Sequence, residues 1–189
     1  MLSSLTVRRP LRFLAAALVA GVTSVTLAHA ALVSIGDSDV GFQAVGPGGL
    51  KIDGEGSKLK ASEAEGVLTL VATLTDLKTG ISMRDDHLKK AIHTDKFPTA
   101  TLKVKRTGLK FPDDQKTFEG KAKGDFTLNG TTKPVDFDYK VMRQGSDYLV
   151  QGRTQIDITN FNLEIPCYLG VCVDKTVKIK AKFKLRDQM

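Results

Sequence analysis

The sequence predicts a mainly β protein: an antiparallel barrel or sandwich of about eight strands, with one short helix. Three observations carry that expectation. Apolar and polar residues alternate with period two in several segments. The clearest has Val177, Ile179, Ala181, Phe183 and Leu185 interleaved with Lys178, Lys180, Lys182 and Lys184, so it has one dry face and one wet face. The connections between such segments are short and rich in turn residues, Asn129-Gly130 above all. A single stretch from Ser82 to Ile92 departs from period two and reads as helix.

The first thirty residues stand apart. Arg8, Arg9 and Arg12 flank a largely apolar run, Phe13 to Leu27, and Ala28-His29-Ala30 has the small-x-small form of a cleavage site. Gly21, Thr23, Ser24 and Thr26 make the run a poor membrane anchor. The expected organisation is a cleaved secretory signal over 1–30 and a single domain over 31–189. Three of the seven net positive charges belong to that leader. The rest of the chain is mildly basic, which suggests contact with anionic surfaces and no nucleic-acid partner. Cys167 and Cys172 are the two cysteines. An even count in an exported chain favours a disulfide.

In chain order, Leu32–Ile35 and Val40–Val45 read as short strands separated by an Asp37-Ser38-Asp39 turn. Gly46 to Gly49 is a turn, and Leu50–Asp53 is extended. Gly54, Gly56 and Gly66 punctuate a polar stretch. Val67–Leu77 is a longer strand, with Leu68, Leu70, Ala72 and Leu74 on one side. Ser82 is placed to cap the helix, Asp85 and Asp86 suit its first turn, and Leu88, Ala91 and Ile92 form its apolar stripe. Phe97-Pro98 ends any continuation. Strands follow through Leu102 and Val104, through Phe118–Leu128, through Val135, Phe137, Tyr139 and Val141, and through the one-sided series Tyr148, Val150, Gly152, Thr154, Ile156 and Ile158. The lysine row of the last strand reads as a solvated outer face.

Several motifs resemble the YceI-like proteins. Asp37-Ser38-Asp39-Val40-Gly41-Phe42 is similar to that family's opening motif. Thr79-Gly80 leading to Arg84-Asp85-Asp86-His87-Leu88, then Lys96-Phe97-Pro98-Thr99-Ala100, resembles its central signature. Gly124 to Val135 resembles the second, and Val173 to Ile179 the closing strand. The resemblance implies an eight-stranded, lipocalin-like antiparallel barrel with a helix packed at it. It implies a periplasmic protein that holds a long apolar isoprenoid, polyprenyl or quinone-like, inside the barrel. The cysteine pair is a departure that the signature does not require. A redox-active dithiol is its rival reading, but the spacing is not Cys-x-x-Cys.

Catalysis finds little footing. His87 and His93 are six apart and fall on different faces of a helix, so they converge on a metal only if the helix breaks first, as Thr94-Asp95 permits; the reading favoured is architectural. The chain has no Gly-x-Ser-x-Gly elbow. No cofactor, metal or catalytic residue is expected. The leading reading is an exported lipid carrier, whose lining is sought in Phe42, Leu70, Leu74, Leu102, Val104, Phe126, Phe137, Tyr139, Tyr148, Ile156, Phe161, Ile179 and Phe183. Ordinary core packing competes for each of these. Tyr139 and Tyr148 are also candidates for holding a head group. Transient contact with a membrane surface and a homodimer are left open. The alternatives are a small exported enzyme using the Asp85–His87 region, or a stress-related interaction module with a side-chain-filled barrel.

Overall fold

The computed structural model describes residues 30–168 and 171–188, so the expected signal, Ala30 apart, lies outside the described residues. Its strands are β1 (Leu32–Val45), β2 (Lys51–Gly56), β3 (Leu59–Ala64), β4 (Val67–Thr73), β5 (Thr99–Lys105), β6 (Thr117–Leu128), β7 (Thr131–Gln144), β8 (Asp147–Asp157), β9 (Cys167–Tyr168), β10 (Val171–Cys172) and β11 (Thr176–Asp187). Helix α1 (Ser82–Ala91) lies between β4 and β5. The barrel runs β1, β11, β8, β7, β6, β5, β4, β3 and back to β1, with every neighbour antiparallel. β2 pairs with the same edge of β1 as β3 does. The two behave as one strand broken at Ser57-Lys58, and the result is a closed eight-stranded barrel. β9 and β10 form a separate small hairpin, across which Cys167 and Cys172 are disulfide-bonded.

β1 is continuous where a turn is expected at Asp37-Ser38-Asp39. The register against β11 shifts between Ile35 and Asp39, and Gly36 takes a positive φ of 63°. The segment is a bulge within a strand. Ser38 is buried there, and its Oγ donates to Ser57 O at 2.7 Å and accepts from Leu59 N–H at 3.0 Å. One hydroxyl thus bridges the break between β2 and β3. The polar stretch after Gly54 is also strand, because Leu59 and Ala61 alternate inward to the core.

The start of α1 differs from the expected cap. Ile81 occupies the N-cap, Ser82 is already helical, and no side chain caps the turn. Asp85 instead accepts from Thr79 N–H at 2.6 Å and from the Thr79 hydroxyl, which lowers its pKa. The other end is a Schellman turn. His93, at φ 53°, donates its N–H to Lys90 O, and Thr94 donates to Lys89 O. The helix therefore stops before Phe97-Pro98.

Two seams interrupt the ladders. β5 and β6 share only the pairs from Thr101↔Thr127 to Lys103↔Asp125. β7 and β8 part beyond Asp138↔Arg153, where Thr154 Oγ1 reaches across to Asp136 O at 2.8 Å. Leu109 and Phe111 pack into the core near the first seam, and Phe161 and Leu163 near the second.

Candidate functional site

The inward faces of the eight strands do not fill the barrel. Two apolar clusters divide its interior. One, at the end of Leu32 and Leu185, includes Val141, Tyr148, Val150 and Phe183 and is almost wholly shut off from solvent. The other, beneath α1, includes Leu74, Leu77, Phe126, Ile156, Phe161 and Leu163, with Leu88 and Ile92 of the helix against it. A cavity of 260 Å³ runs between and past them. At the helix end its lining reaches the exposed residues Glu164, Pro166 and Asp174, so that end meets solvent.

The wall is apolar because period-two strands put their aliphatic and aromatic residues inside. Among the lining residues only Tyr139, Arg153, Thr154, Glu164 and Asp174 carry polar side chains. The Tyr139 oxygen accepts from Lys110 N–H at 2.8 Å, and the Thr154 hydroxyl is spent on Asp136 O. Arg153, Glu164 and Asp174 are exposed. The deep part of the cavity therefore offers hydrocarbon contact and little directional bonding.

Phe42, Leu70, Leu74, Leu102, Val104, Phe126, Phe137, Tyr139, Ile156, Ile179 and Phe183 line this cavity. Tyr148 and Phe161 are buried in the two clusters. Tyr148 meets Phe111 edge to face at 5.1 Å and donates its hydroxyl to Asp187 at 3.2 Å. Burial raises its pKa, and the Asp187 carboxylate adds to the shift. Phe161 meets Phe126 edge to face at 5.6 Å. The Tyr148 hydroxyl is thus spent on Asp187, while the Tyr139 oxygen accepts from the Lys110 amide. Leu88, Ala91 and Ile92, the helix stripe that the sequence sets against the barrel, also line the wall, although they were not among the expected lining residues. Gly152 and Ala181, which the alternation puts on inward faces, line the cavity without being large.

His93 is held by architecture: its Nδ1 lies 3.0 Å from Asn129 Oδ1. His87 is exposed on α1. Among the described residues no three of His, Cys, Asp and Glu gather as a metal site would require. A depression of 560 Å³ is bordered on the outside by Gln43, Asp53, Lys121, Asp136, Asp138 and Lys180 and shares Phe42, Phe137, Arg153, Thr154 and Ile179 with the inner cavity. Its charges are largely paired, as in Lys180–Glu55 and Lys121–Asp138.

A closed antiparallel barrel with a helix at one end and a dry cavity inside defines a lipocalin-like β-barrel. The chain belongs to the YceI-like domain family, whose model matches residues 33–185. It is 39% identical over 75 residues to Protein YceI of Shigella flexneri, a match covering 39% of this chain and 36% of that protein's length. Its fold is similar to that of a polyisoprenoid binding domain from Saccharophagus degradans implicated in plant cell wall breakdown. That likeness has a TM-score of 0.69 at 15% identity, over 85% of this chain and 100% of the other. It is also similar to Burkholderia cenocepacia BcnA, with a TM-score of 0.62 at 18% identity, over 78% and 95% of the two chains.

Proposed function

We propose that this protein binds a long-chain apolar lipid, polyisoprenoid or quinone-like, with its hydrocarbon tail inside the barrel and its head group at the helix end. The observation that carries this reading is the cavity itself. It is lined from end to end by apolar side chains, and its few polar groups are either already bonded or exposed. Transfer of a hydrocarbon chain from water into such a space contributes ~25 cal/mol per Å² buried, so affinity needs no directional contact. The polyisoprenoid-binding description of the Saccharophagus degradans domain supports the same ligand class. The basic, apolar leader supports action in the periplasm after export.

Loading at a lipid surface fits the same end of the molecule. Leu50, Ile81, Met83 and Ile165 are the exposed large apolar residues among those described. All four lie on the segments that carry α1, the β1–β2 turn and the stretch after Phe161. Hydrogen bonds lace these segments together: Asp174 N–H to Val45 O, Val173 N–H to Pro166 O, and Glu55 N–H to Lys78 O.

Organic extraction of the purified protein followed by mass spectrometry tests the reading. A stoichiometric prenyl lipid is the expected result. A lipid-free protein that also fails to take up a prenol or quinone from vesicles would overturn it.

A further inference from the structure

Gly152 sits on the inward face of β8, between Val150 and Thr154. The register places Tyr139 of β7 on one side of it and Ala181 of β11 on the other, with Val40 of β1 beyond Ala181. One inward step toward the closed end, Val141, Val150 and Phe183 stand in a row, buried to 8% exposure or less. With Leu185, one inward step further on, they form the floor of the cavity. One step toward α1, Phe42, Ile179 and Thr154 form the next row.

A Cβ built on Gly152 would meet no atom within 4 Å, and its backbone is not in the left-handed region. Other strand glycines differ. A Cβ on Gly120 would come to 2.6 Å from the Phe118 ring, and one on Gly124 to 2.8 Å from the backbone oxygen of Lys103. Neither a turn nor a close chain approach therefore requires glycine at 152. What its missing side chain leaves is open volume directly above the floor.

We propose that Gly152 is the specificity-determining residue for ligand chain length. This rests on the lipid-binding reading above. The tail enters from the helix end, where the exposed polar lining residues Glu164 and Asp174 stand, and its far end lies against Gly152 and Ala181. A larger side chain at 152 raises the floor. Long chains then lose their last contacts or must fold back, while short chains that stop above this level are unaffected.

The test measures binding of three all-trans prenols of increasing length, farnesol, geranylgeraniol and solanesol, to the wild type and to Gly152→Leu, Gly152→Ala and Gly152→Phe. Gln151→Leu, on the exposed outer face of the same strand, serves as the control. Gly152→Leu is expected to weaken solanesol binding about tenfold or more, the scale of overpacking a filled site, and to leave farnesol within about threefold. Gly152→Ala should shift the profile in the same direction by less, and it decides the matter if the larger variants do not fold. Gln151→Leu should match the wild type. Wild-type protein that binds none of the three overturns the lipid reading and this proposal with it. Wild-type binding with a chain-length profile unchanged by Gly152→Leu or Gly152→Ala, in variants with native melting behaviour, overturns the role of Gly152 alone.

Discussion

His93 and Asn129 meet at the helix end of the barrel, ring Nδ1 to amide Oδ1 at 3.0 Å, and both hold a positive φ, 53° and 48°. One closes the Schellman turn of α1; the other opens the β6–β7 hairpin. The Asn129 amide nitrogen donates to Phe161 O and Asn162 O, each at 3.1 Å. Those two carbonyls fix the amide orientation, so its oxygen must accept and His93 must carry its proton on Nδ1. A single side chain thus ties the helix, the hairpin and the segment that plugs the β7–β8 seam. Asn129→Ala should cost about 2–3 kcal/mol, from lost bonds and an alanine at positive φ. Asn129→Gly, which keeps the backbone freedom, should cost less. Urea unfolding of both variants checks the order, and equal stability to wild type in Asn129→Ala would refute the clamp.

Ser38 predicts a second local loss. Its hydroxyl serves the Ser57 carbonyl and the Leu59 amide in a buried position. Ser38→Ala leaves both without a partner, at a cost of about 1–3 kcal/mol. Hydrogen exchange at the Leu59 amide should accelerate by more than the global loss of stability explains. Unchanged protection at that amide would count against the bridge.

Asp157 gives a pH dependence. The Thr159 hydroxyl, the Lys175 ammonium and the Thr159 N–H lower its pKa from 3.8 to about 2. The carboxylate is favoured in the folded state, so its contribution is fully present above the unfolded value. It fades as pH falls from about 4 toward about 2. Melting temperatures of wild type and Asp157→Asn should differ by a constant amount at neutral pH and converge across that acid window. A gap that persists at pH 2 would contradict the assignment.

The disulfide Cys167–Cys172 closes a loop of sequence separation 5. Loop entropy for so short a closure is worth about 2 kcal/mol. The hairpin it holds pairs only with itself, outside the barrel ladder. Reduction should therefore lower the melting temperature modestly and leave the aromatic circular dichroism of the barrel intact. Thiol titration of unfolded, unreduced protein should find no reactive groups.

Much of the fold was legible because alternation survives wherever one face is dry. The lysines of β11 and the Asn129-Gly130 turn were readable at once. β3 was not, because Leu59 and Ala61 are its only large or buried apolar marks among Lys, Ser and Glu. The bulge hid β1, since Asp37-Ser38-Asp39 spells a turn locally and only its partner strand makes it a ladder. The cap of α1 was misplaced by one residue, from Ile81 to Ser82, because Thr79 and Asp85 satisfy each other across a loop. The cavity was the least legible feature. Tyr139 stands in the row of Gly152 and lines the cavity, whereas Tyr148 stands two inward positions deeper, in the row of Leu185, and is core. Alternation puts both inside and does not register the depth at which the barrel stops being filled.

Closure of the barrel also governs how the molecule behaves in a crowded solution. Wrapped onto itself, the sheet offers few unpaired backbone groups to a second copy. β2 is the exposed margin: it joins β1 on one side and meets only Lys78, through Glu55, on the other. Its sequence, Lys51-Ile52-Asp53-Gly54-Glu55-Gly56, is charged at alternate positions and weakened by two glycines, which makes it a poor template for strand addition. The least protected edge of the sheet is thus also the one least able to seed aggregation.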